Sequence, residues 1–335
     1  MSKILDTVLL IALPASGKSE VRKYMSTLTE KQCVEDFKIG PTLQLDDYPY
    51  VHFMHRIDNE LTSQGYKSIF YKGSERPFKD EFEWGTLIHL LNEDYENLLN
   101  KKITKTDSAA QNLFDRIDKA RAKAGLPQEL GEIPYRIRQN VAAAIEAEVK
   151  EHLNELNDTF KQKKEGKTVI IEMARGGANG SAFPLTPPNG YQYSLSLLSA
   201  EILDKSGILY VWVTPEESRK NNLERARPDG QSSILFHGVP MEVMLGQYGC
   251  DDIEYLMSQS GKENTIKIER IVQEKKGTKS VYKMKTWNLP VARFDNRKDL
   301  TSFIRKDKKE WNKKETELIH KELSAAFRTL ASFKY

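Results

Sequence analysis

Five short apolar runs constrain the fold of this chain more than anything else in it: Ile4 to Ala12, Thr42 to Asp46, Thr168 to Glu172, Ile208 to Val213 and Pro290 to Phe294. They are nearly continuous in Val, Ile and Leu rather than alternating, as expected of strands buried on both faces of a parallel sheet. Helical patterns separate most of them, which is the rhythm of strand–helix–strand crossovers. The expected class is α/β, a doubly wound and mostly parallel five-stranded sheet. With 335 residues and 39% hydrophobic content the chain can bury a large core, so one domain over 1–335 with insertions is the favoured organisation.

About 120 residues separate the second and third runs, far more than one crossover needs. A predominantly helical insertion is expected over 72–163. Within it Ile137, Val141, Ile145, Val149, Leu153, Leu156 and Phe160 recur three or four apart and predict one helix from Tyr135 to Phe160. Another helix is expected from Asp107 to Ala124, ended by Gly125 and Pro127. A second insertion over 214–286 carries a helix start at Thr214-Pro215 and then an exposed hairpin, Thr265 to Val272 with Ser280 to Lys285. A C-terminal helix is expected over 308–335, docked on the sheet.

Composition excludes several classes. The 51 basic and 48 acidic residues leave a net charge of +3, too little for broad polyanion binding. Cys33 and Cys250 have no metal-site or disulfide-framework spacing. No stretch reaches the roughly 20 apolar residues of a membrane span. A soluble, cytoplasmic protein is expected.

The first run feeds directly into Ala12-Leu13-Pro14-Ala15-Ser16-Gly17-Lys18-Ser19 and then into the amphipathic segment Ser19 to Leu28. A strand, a turn whose N–H groups wrap phosphates, a lysine and a hydroxyl for Mg²⁺ at the helix start are the parts of a Walker A loop. Only the first glycine is missing, replaced by Ala12. Gly166-Lys167-Thr168 also matches the tripeptide, but there a charged helical run precedes and a strand follows, so a solvated turn is expected. Pro14, Ala15, Ser16, Gly17, Lys18 and Ser19 are therefore the expected nucleotide contacts, with ATP and Mg²⁺ as the cofactors.

Two other strands end in acids, at Leu45-Asp46-Asp47-Tyr48 and at Ile170-Ile171-Glu172. In open parallel sheets ligands collect at these carboxyl ends. Leu45-Asp46-Asp47-Tyr48-Pro49-Tyr50 resembles the Asp-x-Phe-Tyr segment of the uridine, pantothenate and glycerate kinase group among P-loop nucleoside and nucleotide kinase-like proteins. Glu172 resembles that group's strand-end acid, with Met173 where its glycine stands. The resemblance implies a P-loop NTPase sheet, Asp46 as the base facing a substrate hydroxyl, Asp47 as the alternative base, and Glu172 orienting Mg²⁺. The plainer use of Asp46 and Asp47 is to cap the helix near Pro49.

Beyond the fourth run, Arg219, Arg225 and Arg227 resemble the arginines of a kinase lid, which grip phosphate oxygens; the alternative is a solvated helix face. Arg175, His55 and Asn296 complete the candidates: Arg175 and His55 for the substrate, Asn296 near the adenine. The leading expectation is an ATP- and Mg²⁺-dependent phosphotransferase acting on a hydroxyl of a small molecule. A polynucleotide-end kinase using the basic residues Lys298 to Lys314 and a nucleotide-binding interaction protein are the alternatives. The acceptor and the oligomeric state are not legible.

Overall fold

The computed structural model describes residues 4–225, 238–276 and 279–333. In chain order the elements are β1 (Thr7–Ile11), α1 (Lys18–Ser26), α2 (Glu30–Asp36), β2 (Thr42–Asp46), α3 (Tyr48–Ser63), α4 (Glu83–Leu99), α5 (Ala109–Lys123), α6 (Tyr135–Phe160) and β3 (Thr168–Met173). There follow α7 (Gly190–Leu197), α8 (Ala200–Leu203), β4 (Ser206–Trp212), α9 (Pro215–Arg225), α10 (Met241–Gln247), α11 (Ile253–Gln259), β5 (Thr265–Lys276), β6 (Lys279–Asp295) and α12 (Lys313–Ser332).

The sheet has six strands in the order β2-β3-β1-β4-β6-β5. The first five run parallel and β5 runs antiparallel to β6. This corrects the expected count of five. The expected hairpin is no separate insertion, because its second strand continues into the last apolar run: β6 leaves the tip at Lys279, passes Pro290 and enters the sheet, where Val291 stands opposite Ile208 of β4. Its first strand becomes the antiparallel edge.

The continuity of the apolar runs has a simple cause. Leu9, Ile11, Val169, Ile171, Ile208 and Tyr210 point into one core, against α4, α7 and α11. Their sequence neighbours Val8, Leu10, Ile170, Leu209 and Val211 point into another, against α1 and α12. β1, β3 and β4 therefore need apolar residues at both parities, whereas the edge strand β2 alternates and buries only Leu43 and Leu45. No described helix is long and apolar enough to cross a membrane.

The helices within 72–163 close over a third core shared with α3, built from Phe53, Ile57, Phe114, Ile117, Val141 and Ile145 among others. α6 covers the expected Tyr135–Phe160. α12 begins only at Lys313, where Asn312 caps it, and Lys308–Glu310 forms a separate 3₁₀ turn within the expected C-terminal helix. Phe114 is fully buried in the third core. Phe114→Ala is expected to destabilise the chain by about 3–5 kcal/mol, read from chemical denaturation, through lost burial and the cavity left behind.

Candidate active site

The loop between β1 and α1 is held from outside by its carbonyls. Tyr191 Oη donates to Ala12 O (3.0 Å), Ser218 Oγ to Pro14 O (2.7 Å), Asn221 Nδ2 to Ala15 O (3.2 Å) and Asn296 Nδ2 to Ser16 O (2.8 Å). The N–H groups of Ser16, Gly17, Lys18 and Ser19 are claimed by no backbone carbonyl among the described residues. They are the unpaired donors of a helix start, the positive end of its dipole. Gly17 has φ +101°, and a Cβ there would lie 2.5 Å from Thr301 Oγ1 and 2.6 Å from Asn296 Nδ2, so both conformation and space require glycine. Ala12, the departure from the motif, is fully buried, with its methyl in the core beside α1. Gly166 lies in an exposed turn before β3.

Lys18 Nζ folds back onto the loop, 3.3 Å from Ala12 O and 3.4 Å from Leu13 O. Burial pushes its pKa below the usual lysine value, while Glu172, Asp47 and Asp46 push the other way and Arg225 adds to the lowering. Asn296, expected near the adenine, braces the loop. Its Nδ2 also donates to Thr301 Oγ1 (2.9 Å), its Oδ1 accepts from Leu300 N (2.8 Å), and it does not line the cavity described below.

Parallel pairing sets Asp46 opposite Glu172, and Glu172 opposite Leu10 of β1, so both acids finish beside the loop. Arg22, four residues beyond Lys18 and so on the same side of α1, bridges them: its Nη1 lies 3.0 Å from Asp46 Oδ2 and 3.1 Å from Glu172 Oε2. Asp46 Oδ1 accepts from Tyr48 N (2.9 Å), while Asp47, at the N-cap position of α3, makes no side-chain capping hydrogen bond. Asp47 turns to the other neighbour and pairs with Arg175 at 2.6 Å. Burial raises the Asp47 pKa, with Arg175 opposing.

Burial, with Asp46 adding to it, lifts Glu172 to about 7 against the pull of Arg22 and Lys18. A carboxyl raised on folding binds its proton more tightly in the native state, so its contribution to stability is complete below its ordinary 4.5 and is lost as pH rises through about 7. The chain is expected to lose thermal stability across that window relative to Glu172→Gln, as read from melting temperature against pH.

The cations divide. Arg175 is 1% exposed; its Nε donates to Ser194 Oγ (3.0 Å), its Nη1 to Ala174 O (2.6 Å), and its guanidinium lies 4.9 Å from the Trp84 ring centre. Arg225 Nη2 donates to both carboxylate oxygens of the fully buried Glu20 at 2.9 Å, and Arg305 Nε reaches the same carboxylate at 2.7 Å. Arg219 is tied to Glu216 (2.9 Å) and Asn179 (3.4 Å) and does not line the cavity. Arg227 lies outside the described residues.

One cavity of about 430 Å³ joins these groups. Pro14, Ala15, Lys18 and Ser19 line one part, Asp46, Asp47, Glu172, Arg175 and Arg225 another, and Tyr48, His55, Tyr71, Trp84, Gln247 and Tyr248 the remainder. Arg22, Glu20, Gln247 and Tyr191 were not anticipated from sequence; only Arg22 had a usable signal, its spacing from Lys18. Among the described residues no group of three or more His, Cys, Asp or Glu is placed to hold a metal ion by itself. Ser19, Asp46 and Glu172 offer oxygen donors only, a set that suits Mg²⁺ when phosphate and water complete its shell.

The chain matches no family model, no curated protein and no solved structure in comparisons with known proteins.

Proposed function

We propose that this chain is an ATP-dependent phosphotransferase acting on the hydroxyl group of a small molecule. The observation that carries the reading is the joining, in one cavity, of a helix-start loop whose N–H groups are unclaimed, a buried lysine and three strand-end carboxylates. Ser16 to Ser19 N–H groups and Lys18 Nζ hold the β- and γ-phosphates, Lys18 leaving the carbonyls of Ala12 and Leu13 to do so. Ser19 with Asp46 and Glu172 would hold Mg²⁺, which neutralises phosphate charge when bound.

Asp47 is the base in this reading and Asp46 belongs with Glu172. Asp46 has one oxygen on Tyr48 N and the other on Arg22. Asp47 faces Arg175, and burial raises its pKa above that of an ordinary aspartate, which strengthens it as a proton acceptor. The acceptor oxygen forms a bond to the γ-phosphorus, the bond from that phosphorus to the β,γ-bridging oxygen breaks, ADP leaves, and the hydroxyl proton passes to Asp47. Arg225 reaches the transferred phosphoryl group by turning from Glu20, which Arg305 continues to neutralise.

The nucleic-acid alternative has less to support it, since Arg305 of the basic stretch is committed to Glu20 and Lys308 Nζ to Thr27 O. The test is ATP consumption by the full chain with Mg²⁺ against nucleosides, sugars, polyols, vitamins and 5′-hydroxyl RNA ends. Consumption dependent on one hydroxyl-bearing small molecule is expected. Consumption only with RNA ends would transfer the reading to that alternative.

A further inference from the structure

Beyond the three carboxylates the cavity changes character. His55 lies flat on Tyr71, with ring centres 3.6 Å apart and planes 7° from parallel, and Tyr71 lies on Phe78 at 4.7 Å and 19°. Phe78 meets Trp84 edge-on at 4.9 Å, and Trp84 meets Tyr248 at 5.6 Å. This wall is built to stay in place. The buried Asp58 of α3 accepts from the N–H groups of Ile69 (2.6 Å), Phe70 (3.0 Å) and Tyr71 (2.8 Å), and Tyr71 faces Phe78 across a short antiparallel bridge. The stack ends at His55, which is half-buried, lines the cavity and carries no second stacked ring among the described residues.

Two buried donors line the same cavity with nothing to donate to. Gln247 is 2% exposed and its Nε2 has no hydrogen-bond partner among the described residues; the same holds for Arg175 Nη2. A buried N–H left unpaired opposes folding, so such groups mark where a ligand supplies the missing oxygen or nitrogen. Burial holds His55 far below its usual pKa, to about 4, so its imidazole is neutral and presents an uncharged ring face.

Resting on the phosphotransferase reading, we propose that the acceptor is an alcohol joined to a flat heteroaromatic ring. The ring extends the His55–Tyr71–Phe78 stack, its carbonyl oxygen or ring nitrogen accepts from Gln247 Nε2 and Arg175 Nη2, and its hydroxyl reaches Asp47. An aliphatic polyol would leave the His55 end of the stack and part of the donor set unmatched.

The experiment is saturation-transfer NMR on the full chain, saturated with ADP so that the nucleotide end is filled, with uridine, thymidine and pyridoxine as ring probes and glycerol, myo-inositol and pantothenate as aliphatic ones. Transfer to the ring protons of at least one ring probe is expected. His55→Leu should weaken that binding roughly tenfold, the value of one stacking contact, and Gln247→Leu should weaken it as well, with melting temperatures showing both variants folded. Binding of aliphatic probes alone, of no ring probe, or of a ring probe untouched by both substitutions overturns the proposal. ADP binding separates the two readings. A chain that binds ADP through Lys18 but no ring probe overturns this inference alone, and one that binds a ring probe but no nucleotide overturns the phosphotransferase reading.

Discussion

Asp47→Asn is expected to lower kcat for phosphoryl transfer by about 10²–10⁴-fold, the usual contribution of a positioned general base, while ATP affinity stays as it was. The amide keeps the shape of the carboxylate but loses its charge beside Arg175 and cannot take the hydroxyl proton. Asp46→Asn should behave differently, because Asp46 stands beside Glu172 and under Arg22. Its expected signature is a higher Mg²⁺ requirement for half-maximal rate. Steady-state kinetics of both variants against Mg²⁺ check the assignment. Should Asp46→Asn carry the large loss in kcat and Asp47→Asn none, the two roles are reversed.

Lys18→Ala should reduce kcat/KM by at least about 10²–10³-fold, the loss seen when one preorganised charge donor is removed from a site of developing negative charge. Its effect on stability should have the opposite sign. Lys18 is buried, and its pKa is lowered on folding chiefly by that burial. The unfolded chain therefore holds this proton more tightly than the native one, so the charged lysine opposes folding at neutral pH. The ligand-free variant should melt at or above the temperature of the unaltered chain, because it loses a charge that only phosphate can neutralise fully. Calorimetry with and without ATP reads both effects, since the unaltered chain alone should gain stability from nucleotide.

Much of the framework was legible because it follows from local rules. The apolar runs marked β1, β3 and β4, since neighbouring residues such as Leu9 and Leu10 feed opposite cores, whereas β2 buries only Leu43 and Leu45. The spacing from Ile137 to Phe160 marked α6. The hairpin pairs as expected, and what differs, its continuation into the sheet, has a local cause: from Ser280 to Thr286 β6 faces solvent at many positions and reads as an exposed ribbon, and only from Trp287 does it enter the core. The same chain segment belongs to two environments.

The site was legible where motif and strand end coincide, at Gly17, Lys18, Asp46 and Glu172. Helix phase would have separated the arginines of α9. Ser218, Asn222 and Arg225 recur on one buried face, while Arg219 lies about 100° away from Ser218 around the helix. Glu20, Tyr191 and Gln247 could not be found in this way, since each acts through a partner far away in sequence: Glu20 on Arg225, Tyr191 on Ala12, Gln247 on the cavity. Asn296, expected near the adenine, also serves as a strut of the loop, a role that its sequence position does not reveal.

Isothermal titration of MgATP into the full chain, beside Lys18→Ala, decides whether the loop between β1 and α1 binds nucleotide. Saturable binding at a single site is expected, with a dissociation constant between about 1 μM and 1 mM as for ordinary enzyme substrates, abolished or severely weakened in the variant. Absence of binding at millimolar MgATP, or equal binding by both proteins, would contradict it.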